Sequence, residues 1–313
     1  MQNSKEYKKI VQFMKKIKVS DYTINEDLTV DVNGDVSINF LDLEEMPVKF
    51  GIINGFFDCN DNKLKTLKGC PKKVMGDFYC VNNKLSDLQG GPEIVKGSYN
   101  CANNKLTSLK GMPEKIDGDV DCCSNMLQDL IGCAEEIGGD FYCANNKLKS
   151  LKGCPKIIKG SFNCCLNNIS IFDCEIEEIG FDFNCEENNL INLKGCPKKI
   201  GRDIYINMNK LITLEGCPEI INGDLHCKDN KIETLKFLSK EICGVLDLQK
   251  NNFDIIELIN FNCTVRDSIF SDFGDKEEFL NLVKQQKSYA EKEQIKKGLL
   301  ESKETESFIR KRI

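Results

Sequence analysis

Eighteen cysteines and one histidine are the side chains of this 313-residue chain best suited to chemistry. Thiolates bind Zn²⁺ and attack electrophiles, and an imidazole supports both activities. No two cysteines are spaced as C-x-x-C, and the histidine is His226. Cys122–Cys123 and Cys164–Cys165 are adjacent pairs, so in a strand their side chains would point to opposite faces. We predict free thiols that pack as small apolar residues, with no metal and no cofactor.

Nucleophilic catalysis would need a base positioned beside a thiol or hydroxyl. His226 is the one imidazole available, and Cys263 lies in the run FNCT without a neighbouring histidine or carboxylate motif. A reactive thiol also needs an electropositive pocket. We therefore predict that the protein is not an enzyme, and rapid selective labelling of Cys263 would argue against this prediction.

A 21-residue repeat spaces these cysteines, with unit starts at 34, 55, 76, 97, 118, 139, 160, 181, 202, 223 and 244. The unit at residues 139–159 reads GDFYCANNKLKSLKGCPKIIK. Position 3 is apolar and position 5 is Cys or aliphatic, each between polar neighbours, which predicts a short strand with one face inward. Apolar positions 10, 13 and 20 supply the remaining core. A fixed period of this length indicates a solenoid.

Asparagine occupies position 8 in every unit after the first, and Gly and Pro recur at positions 15 and 17. We expect the asparagine amide to bond the backbone of its own and the adjacent turn, because a buried amide must be hydrogen-bonded. Gly and Pro make the return turn and leave no room for a helix, so the back should be extended or polyproline-like. The asparagines are Asn62, Asn83, Asn104, Asn125, Asn146, Asn167, Asn188, Asn209, Asn230 and Asn251.

The pattern F-x-C-x-x-N-x-L-x-x-L over residues 34–256 resembles the leucine-rich repeat. The short unit with proline in its back is similar to the bacterial-effector subtype. The sequence GDFYCANNKL is similar to sequences in uncharacterised leucine-rich repeat proteins of tailed phages. Cys174 and Ile176 depart from the turn pattern, and Phe181 and Arg202 replace the leading Gly. The resemblance implies a non-catalytic scaffold for protein–protein interaction.

Two other functions are weighed against the scaffold. A structural or adhesive component of a viral particle is the first alternative. An effector-like ubiquitin ligase is disfavoured, because such ligases need a separate catalytic domain and only about 50 residues follow the repeats.

The predicted architecture is a β-solenoid of leucine-rich repeat type. It has eleven 21-residue units, a parallel sheet on one face, an extended non-helical back and helical caps at both ends. We divide it into an N-terminal helix and hairpin cap (1–33), the solenoid (34–262) and a C-terminal helical cap or tail (263–313).

The N-terminal cap starts with an amphipathic helix over residues 4–18, with Ser4 as N-cap and an apolar stripe. A membrane-surface helix is the alternative to a cap. A hairpin over residues 28–40, turning at Asn33-Gly34, is expected to follow. The stripe comprises Tyr7, Ile10, Val11, Met14 and Ile17.

The C-terminal region is expected to be helical over residues 275–305, with Asp275 as its cap. Phe279, Leu282 and Val283 would form a first apolar face. The helix either caps the solenoid or docks a partner, and residues 306–313 are expected to fray. Ile295, Leu299 and Leu300 would form a second stripe.

The charge balance disfavours a nucleic-acid partner. The net charge is −6, and each end carries about +1, so the repeats carry nearly −8. The chain has no apolar run long enough to span a membrane and no signal-peptide core. We expect a monomer that acts in the cytoplasm, in the host cytoplasm if it is phage-encoded, without contact with a membrane.

The outward strand positions are the candidate binding site for a protein partner. Position 2 holds mainly Asp and Ser, for which turn chemistry is the favoured explanation, and a lysine rim runs along position 9. At position 4 the tyrosines recur every third unit, about 14 Å apart. Tyrosine anchors interfaces but also suits strands, so both explanations stay open. The predicted binding residues are Asp58, Tyr79, Asn100, Asp121, Tyr142, Asn163, Asn184, Tyr205 and His226.

Overall fold

The chain forms twelve successive coils, each with one extended segment in a front sheet and one at the back. The structure is a computed structural model that describes residues 4–310, with side chains over residues 4–297. It confirms the parallel β-solenoid with a 21-residue period and a non-helical back.

The front sheet contains twelve parallel strands in chain order, each paired one period along. The assigned strands are two residues long, but amides at positions 3, 5 and 7 donate to carbonyls at positions 2, 4 and 6 of the next coil. The ladder therefore covers the whole predicted strand. Its strands are Val36–Ser37, Phe57–Asp58, Phe78–Tyr79, Tyr99–Asn100, Val120–Asp121, Phe141–Tyr142, Phe162–Asn163, Phe183–Asn184, Ile204–Tyr205, Leu225–His226, Leu246–Asp247 and Ile269–Phe270.

The back is extended and forms a second, narrower set of strands at positions 19 and 20, which the sequence analysis did not predict. Nine strands pair in one sheet and three in another, with only a bridge between Ile179 and Ile200 at the break. The strands are Tyr22–Ile24, Thr29–Val32, Lys49–Ile53, Lys73–Val74, Ile94–Val95, Lys115–Ile116, Glu136–Ile137, Ile157–Ile158 and Glu178–Ile179, then Ile220–Ile221, Glu241–Ile242 and Thr264–Val265.

The predicted hairpin over residues 28–40 is wrong. Thr29–Val32 pairs antiparallel with Tyr22–Ile24 and parallel with Lys49–Ile53, whereas Val36–Ser37 opens the front sheet. Asn33-Gly34 thus connects the back sheet to the front sheet. Tertiary pairing directs the two flanking segments to different sheets.

The repeats extend one coil beyond the eleven units predicted. Ile269–Phe270 pairs in parallel with Leu246–Asp247, so Ile269 follows Leu246 by 23 residues. A 3₁₀ helix over Ile255–Asn260 lies in the longer connection. Because of this two-residue offset, a fixed 21-residue period does not predict the last coil.

The core is built from stacked columns of like side chains. At position 3, the Phe141 and Phe162 rings stack with centroids 5.2 Å apart, and Phe183 continues the stack at 5.6 Å. The eight position-5 thiols are buried and unpaired. Burial raises the pKa of Cys122 and Cys143 well above the ordinary value of a thiol. Both are therefore neutral core groups, as predicted for this position.

The asparagine ladder closes the bend after each strand. Asn83 Nδ2 donates to Cys59 O of the preceding coil at 3.0 Å and to Cys80 O of its own coil at 3.3 Å. Its Oδ1 accepts from Leu64 N at 2.9 Å, again in the preceding coil. The predicted role of position 8 is confirmed. The residue before each of these asparagines is left-handed, including Leu166 with φ 55°.

Two helices lie at the ends of the coils. The first spans Lys5–Lys16, and the Ser4 hydroxyl accepts from Tyr7 N at 3.1 Å, as predicted for an N-cap. Ile10 and Met14 are buried against the core, but Val11 of the predicted stripe is exposed.

The second helix spans Lys276–Arg310. Asp275 Oδ1 accepts from Glu278 N at 3.0 Å while Glu278 Oε2 accepts from Asp275 N at 3.1 Å, which is a capping box. Phe279 and Val283 are buried, whereas Ile295 is exposed. The side chains of Leu299 and Leu300 and residues 311–313 lie outside the part that the structure describes.

Tyr99 is the exception in the aromatic column, because its buried hydroxyl has no hydrogen-bond partner among the described residues. Gly91 stands where several other units have Cys, and a Cβ there would lie 3.5 Å from the hydroxyl, in ordinary van der Waals contact. We expect Tyr99→Phe to raise the free energy of unfolding by about 1 kcal/mol, since an unsatisfied polar group is removed. Tyr142→Phe is the matched control, and equal effects in urea titrations of both variants would contradict the prediction.

Candidate partner-binding face

The nine predicted binding residues form one continuous column across the front sheet. Each pairs in register with the next, from Asp58 beside Tyr79 to Tyr205 beside His226, and all are partly exposed. The column continues through Asp247 and Phe270. The predicted set did not include Asp247. It also lacked Phe270, because the last coil begins two residues later than the 21-residue period predicts.

Five members of the column also serve the local backbone. The side-chain oxygen accepts the amide two residues on, as from Cys123 N to Asp121 Oδ1 at 2.9 Å and from Cys165 N to Asn163 Oδ1 at 3.1 Å. Their presence in the column is explained by this turn bond. The same bond occurs at Asp58, Asn100 and Asn184.

The remaining four members are rings that reach the aspartate two residues earlier. Tyr142 Oη donates to Asp140 Oδ2 at 2.6 Å. His226 Nε2 lies 3.5 Å from Asp224 Oδ2, and its ring stacks on Tyr205 with centroids 4.8 Å apart. These side chains make no hydrogen bond to the backbone, so they are the members of the column best suited to contact a partner. Equivalent tyrosine–aspartate bonds occur at Tyr79 and Tyr205.

The position-2 aspartates link neighbouring coils. Asp140 Oδ1 accepts from Ser161 N at 2.7 Å, and Asp119 Oδ1 accepts from Asp140 N at 2.8 Å. Glycine at position 1 of the next coil leaves room for a short bond, since a Cβ on Gly160 would lie 2.2 Å from Asp140 Oδ1. Position 2 therefore has a structural role, although it links coils rather than forming a local turn.

The two coils without a leading glycine show the same constraint. Before Phe181 the acceptor is the shorter Ser161, and the bond to Asp182 N is 3.3 Å long. Before Arg202 the aspartate remains, and its bond to the next amide also lengthens to 3.3 Å. The Arg202 guanidinium lies 4.7 Å from the centroid of the Phe181 ring. This cation–π contact offsets part of the cost of the departure.

The three tyrosine–aspartate pairs have a shared electrostatic signature. Partial burial and the adjacent carboxylate raise the pKa of Tyr79 and Tyr205 to about 12. At Tyr142 the hydrogen bond to Asp140 is the first cause, and the pKa is again about 12. The neutral phenol is thus favoured in the folded chain.

This signature predicts a loss of stability at high pH. The unfolded phenols titrate near 10 and the folded ones have a pKa of about 12, so stabilisation present below about pH 10 is lost as the pH rises towards 12. We expect the free energy of unfolding to fall less steeply between about pH 10 and pH 12 in a triple Tyr→Phe variant at positions 79, 142 and 205. Parallel pH profiles in urea titrations of the two proteins would show that the pairs do not couple to folding.

The ion pairs of lysine and arginine among the described side chains lie on the back, the rim and the two helices. Among the described residues, no lysine or arginine nitrogen lies within 4.0 Å of an aspartate at position 2 or 4. On the back, Lys96 pairs with Asp117 at 3.1 Å beside a groove of about 750 Å³. The charges beside that groove are partly neutralised, whereas those of the front face are not.

Cys263 is the thiol that the sequence analysis considered as a nucleophile. Burial raises the pKa of Cys263 to about 12, which disfavours the thiolate at neutral pH. Over residues 4–297, whose side chains the structure describes, no group of three or more His, Cys, Asp or Glu side chains could hold a metal ion. Within the described residues, no helix combines the length and apolarity needed to cross a bilayer.

The period, the paired front sheet and the asparagine ladder define a solenoid of the leucine-rich repeat type. No protein-family model matches the chain, and no curated protein matches it. Among solved structures, the chain is similar to YopM from Yersinia enterocolitica WA-314, at 14% identity, over 69% of this chain and 78% of that one, with a TM-score of 0.21. The class therefore rests on the repeat geometry itself.

Proposed function

We propose that the protein is a non-catalytic scaffold that binds a protein partner through the front-sheet face, with the rings of the position-4 column as anchors. The observation that carries this proposal is the column itself. Twelve coils hold it in register, and the side chains of its aromatic members Tyr79, Tyr142, Tyr205, His226 and Phe270 make no hydrogen bond to the backbone. Tyrosine supplies a large contact area at low entropic cost.

The proposal extends to the ends and to the setting. The end regions 1–33 and 263–313 act as caps on the solenoid. The chain acts as a monomer in the cytoplasm, of the host if the gene is phage-borne, and engages neither nucleic acid nor a membrane. The many free thiols support a reducing compartment.

The test is affinity capture from cytosol with three proteins: wild type, the triple variant Tyr79→Ala, Tyr142→Ala, Tyr205→Ala, and a control variant. The control is Ile220→Ala, Phe237→Ala, Tyr289→Ala, which removes exposed apolar side chains away from the front-sheet face. We expect a partner that wild type and control retain and the tyrosine variant loses. Retention by all three folded proteins would move the site away from this face and overturn the proposal.

A further inference from the structure

The front-sheet face concentrates negative charge far beyond the average of the chain. Of the 33 outward residues at positions 2, 4 and 6 of the eleven regular units, eleven are acidic and one, Lys228, is basic. This face alone carries ten negative charges, whereas the whole chain has a net charge of −6. The acidic residues are Asp35, Asp58, Asp77, Asp119, Asp121, Asp140, Asp182, Glu186, Asp203, Asp224 and Asp247.

The aspartates of this face are held by neutral donors rather than by cations. Asp140 is typical, since Oδ1 accepts from Ser161 N at 2.7 Å and Oδ2 accepts from Tyr142 Oη at 2.6 Å. These bonds fix the carboxylates in rows about 4.8 Å apart without cancelling their charge. Within the described side chains, no lysine or arginine nitrogen lies within 4.0 Å of these carboxylates, whereas lysines of the back pair with carboxylates of the back, as Lys115 does with Glu136 at 3.2 Å.

We infer that the partner docks through a lysine- or arginine-rich segment laid across the front-sheet face. The inference rests on the proposed function and names the chemistry of the partner. The rings of this face provide contact area, and over the described side chains its fixed carboxylates lack lysine or arginine counter-ions. A basic segment would supply those counter-ions and bury the rings at the same time.

The test measures binding of a labelled oligolysine peptide to the full chain by fluorescence anisotropy. The strand-face variant is Asp119→Asn, Asp140→Asn, Asp182→Asn, in which each amide oxygen can still accept the bond from the next coil. The control is Glu93→Gln, Glu114→Gln, Glu135→Gln, which removes three exposed charges from the back. Both variants change the net charge by the same amount.

We expect the strand-face variant to bind oligolysine about tenfold more weakly than wild type, and the control to stay within about twofold. Affinity should also fall as salt is raised. Equal weakening of both variants, or no binding by wild type, would overturn the inference. The inference would also be overturned by a partner that depends on the tyrosines but binds wild type and the aspartate variant with equal affinity. That outcome would leave the proposed function intact.

Discussion

Replacing Asn146 by alanine is expected to lower the free energy of unfolding by about 2–4 kcal/mol. The side chain is 8% exposed, and its Oδ1 accepts from Leu127 N at 3.0 Å. Its Nδ2 donates to Cys122 O at 3.0 Å and to Cys143 O at 3.1 Å. Alanine would leave Leu127 N without its acceptor, which costs about 1–3 kcal/mol. Each of the two carbonyls would lose one bond and keep the other, from Asn125 to Cys122 O and from Asn167 to Cys143 O.

Two further variants make this prediction specific. Asn146→Asp keeps the acceptor for Leu127 N but cannot donate to the carbonyls, so its loss should be at least as large at neutral pH. Lys147→Ala changes the exposed neighbour and should have little effect. Urea titrations followed by circular dichroism would compare the three. A loss below about 1 kcal/mol for Asn146→Ala would show that the ladder contributes little.

Gly139→Ala is expected to cost about 3 kcal/mol, because the new methyl group overlaps the preceding coil. A Cβ at this position would lie 2.0 Å from Asp119 Oδ1 and 3.0 Å from Asp119 N. The carboxylate can move away only if its bond to Asp140 N, which is 2.8 Å long, lengthens or breaks.

A double-mutant cycle tests the cause of that cost. In an Asp119→Ala background the nearest clash is absent, so Gly139→Ala should cost clearly less than in wild type. The two substitutions should therefore couple by about 1 kcal/mol or more in thermal or urea unfolding. Additive effects would mean that the backbone, and not the aspartate, excludes a side chain at position 1.

The repeat made most of the fold predictable from the sequence. Strand position, inward and outward faces, the asparagine bend and the glycine–proline turn follow from residue types that recur at one period. The column of candidate binding residues followed too, since parallel pairing one period along places equal positions side by side. Its function stays a prediction, because periodicity places residues without naming what they bind.

The errors lie where the period or the local signal fails. The Asn33-Gly34 turn suggested a hairpin, but pairing with Lys49–Ile53 decided the sheet. The last coil was not predicted because Ile269 follows Leu246 by 23 residues and not by 21. The inter-coil role of the position-2 aspartates could not be read from one unit, because the donor is an amide 21 residues later.

The asparagine ladder also gives the solenoid a direction during synthesis. Each amide side chain reaches back, as Asn83 does to Cys59 O and Leu64 N of the coil before it. A coil is therefore completed only when the asparagine of the following coil has arrived. On a ribosome the N-terminal part emerges first. Each new coil would therefore complete the hydrogen bonds of the coil before it. The last coil to emerge would then always lack the hydrogen bonds that the asparagine of the following coil supplies.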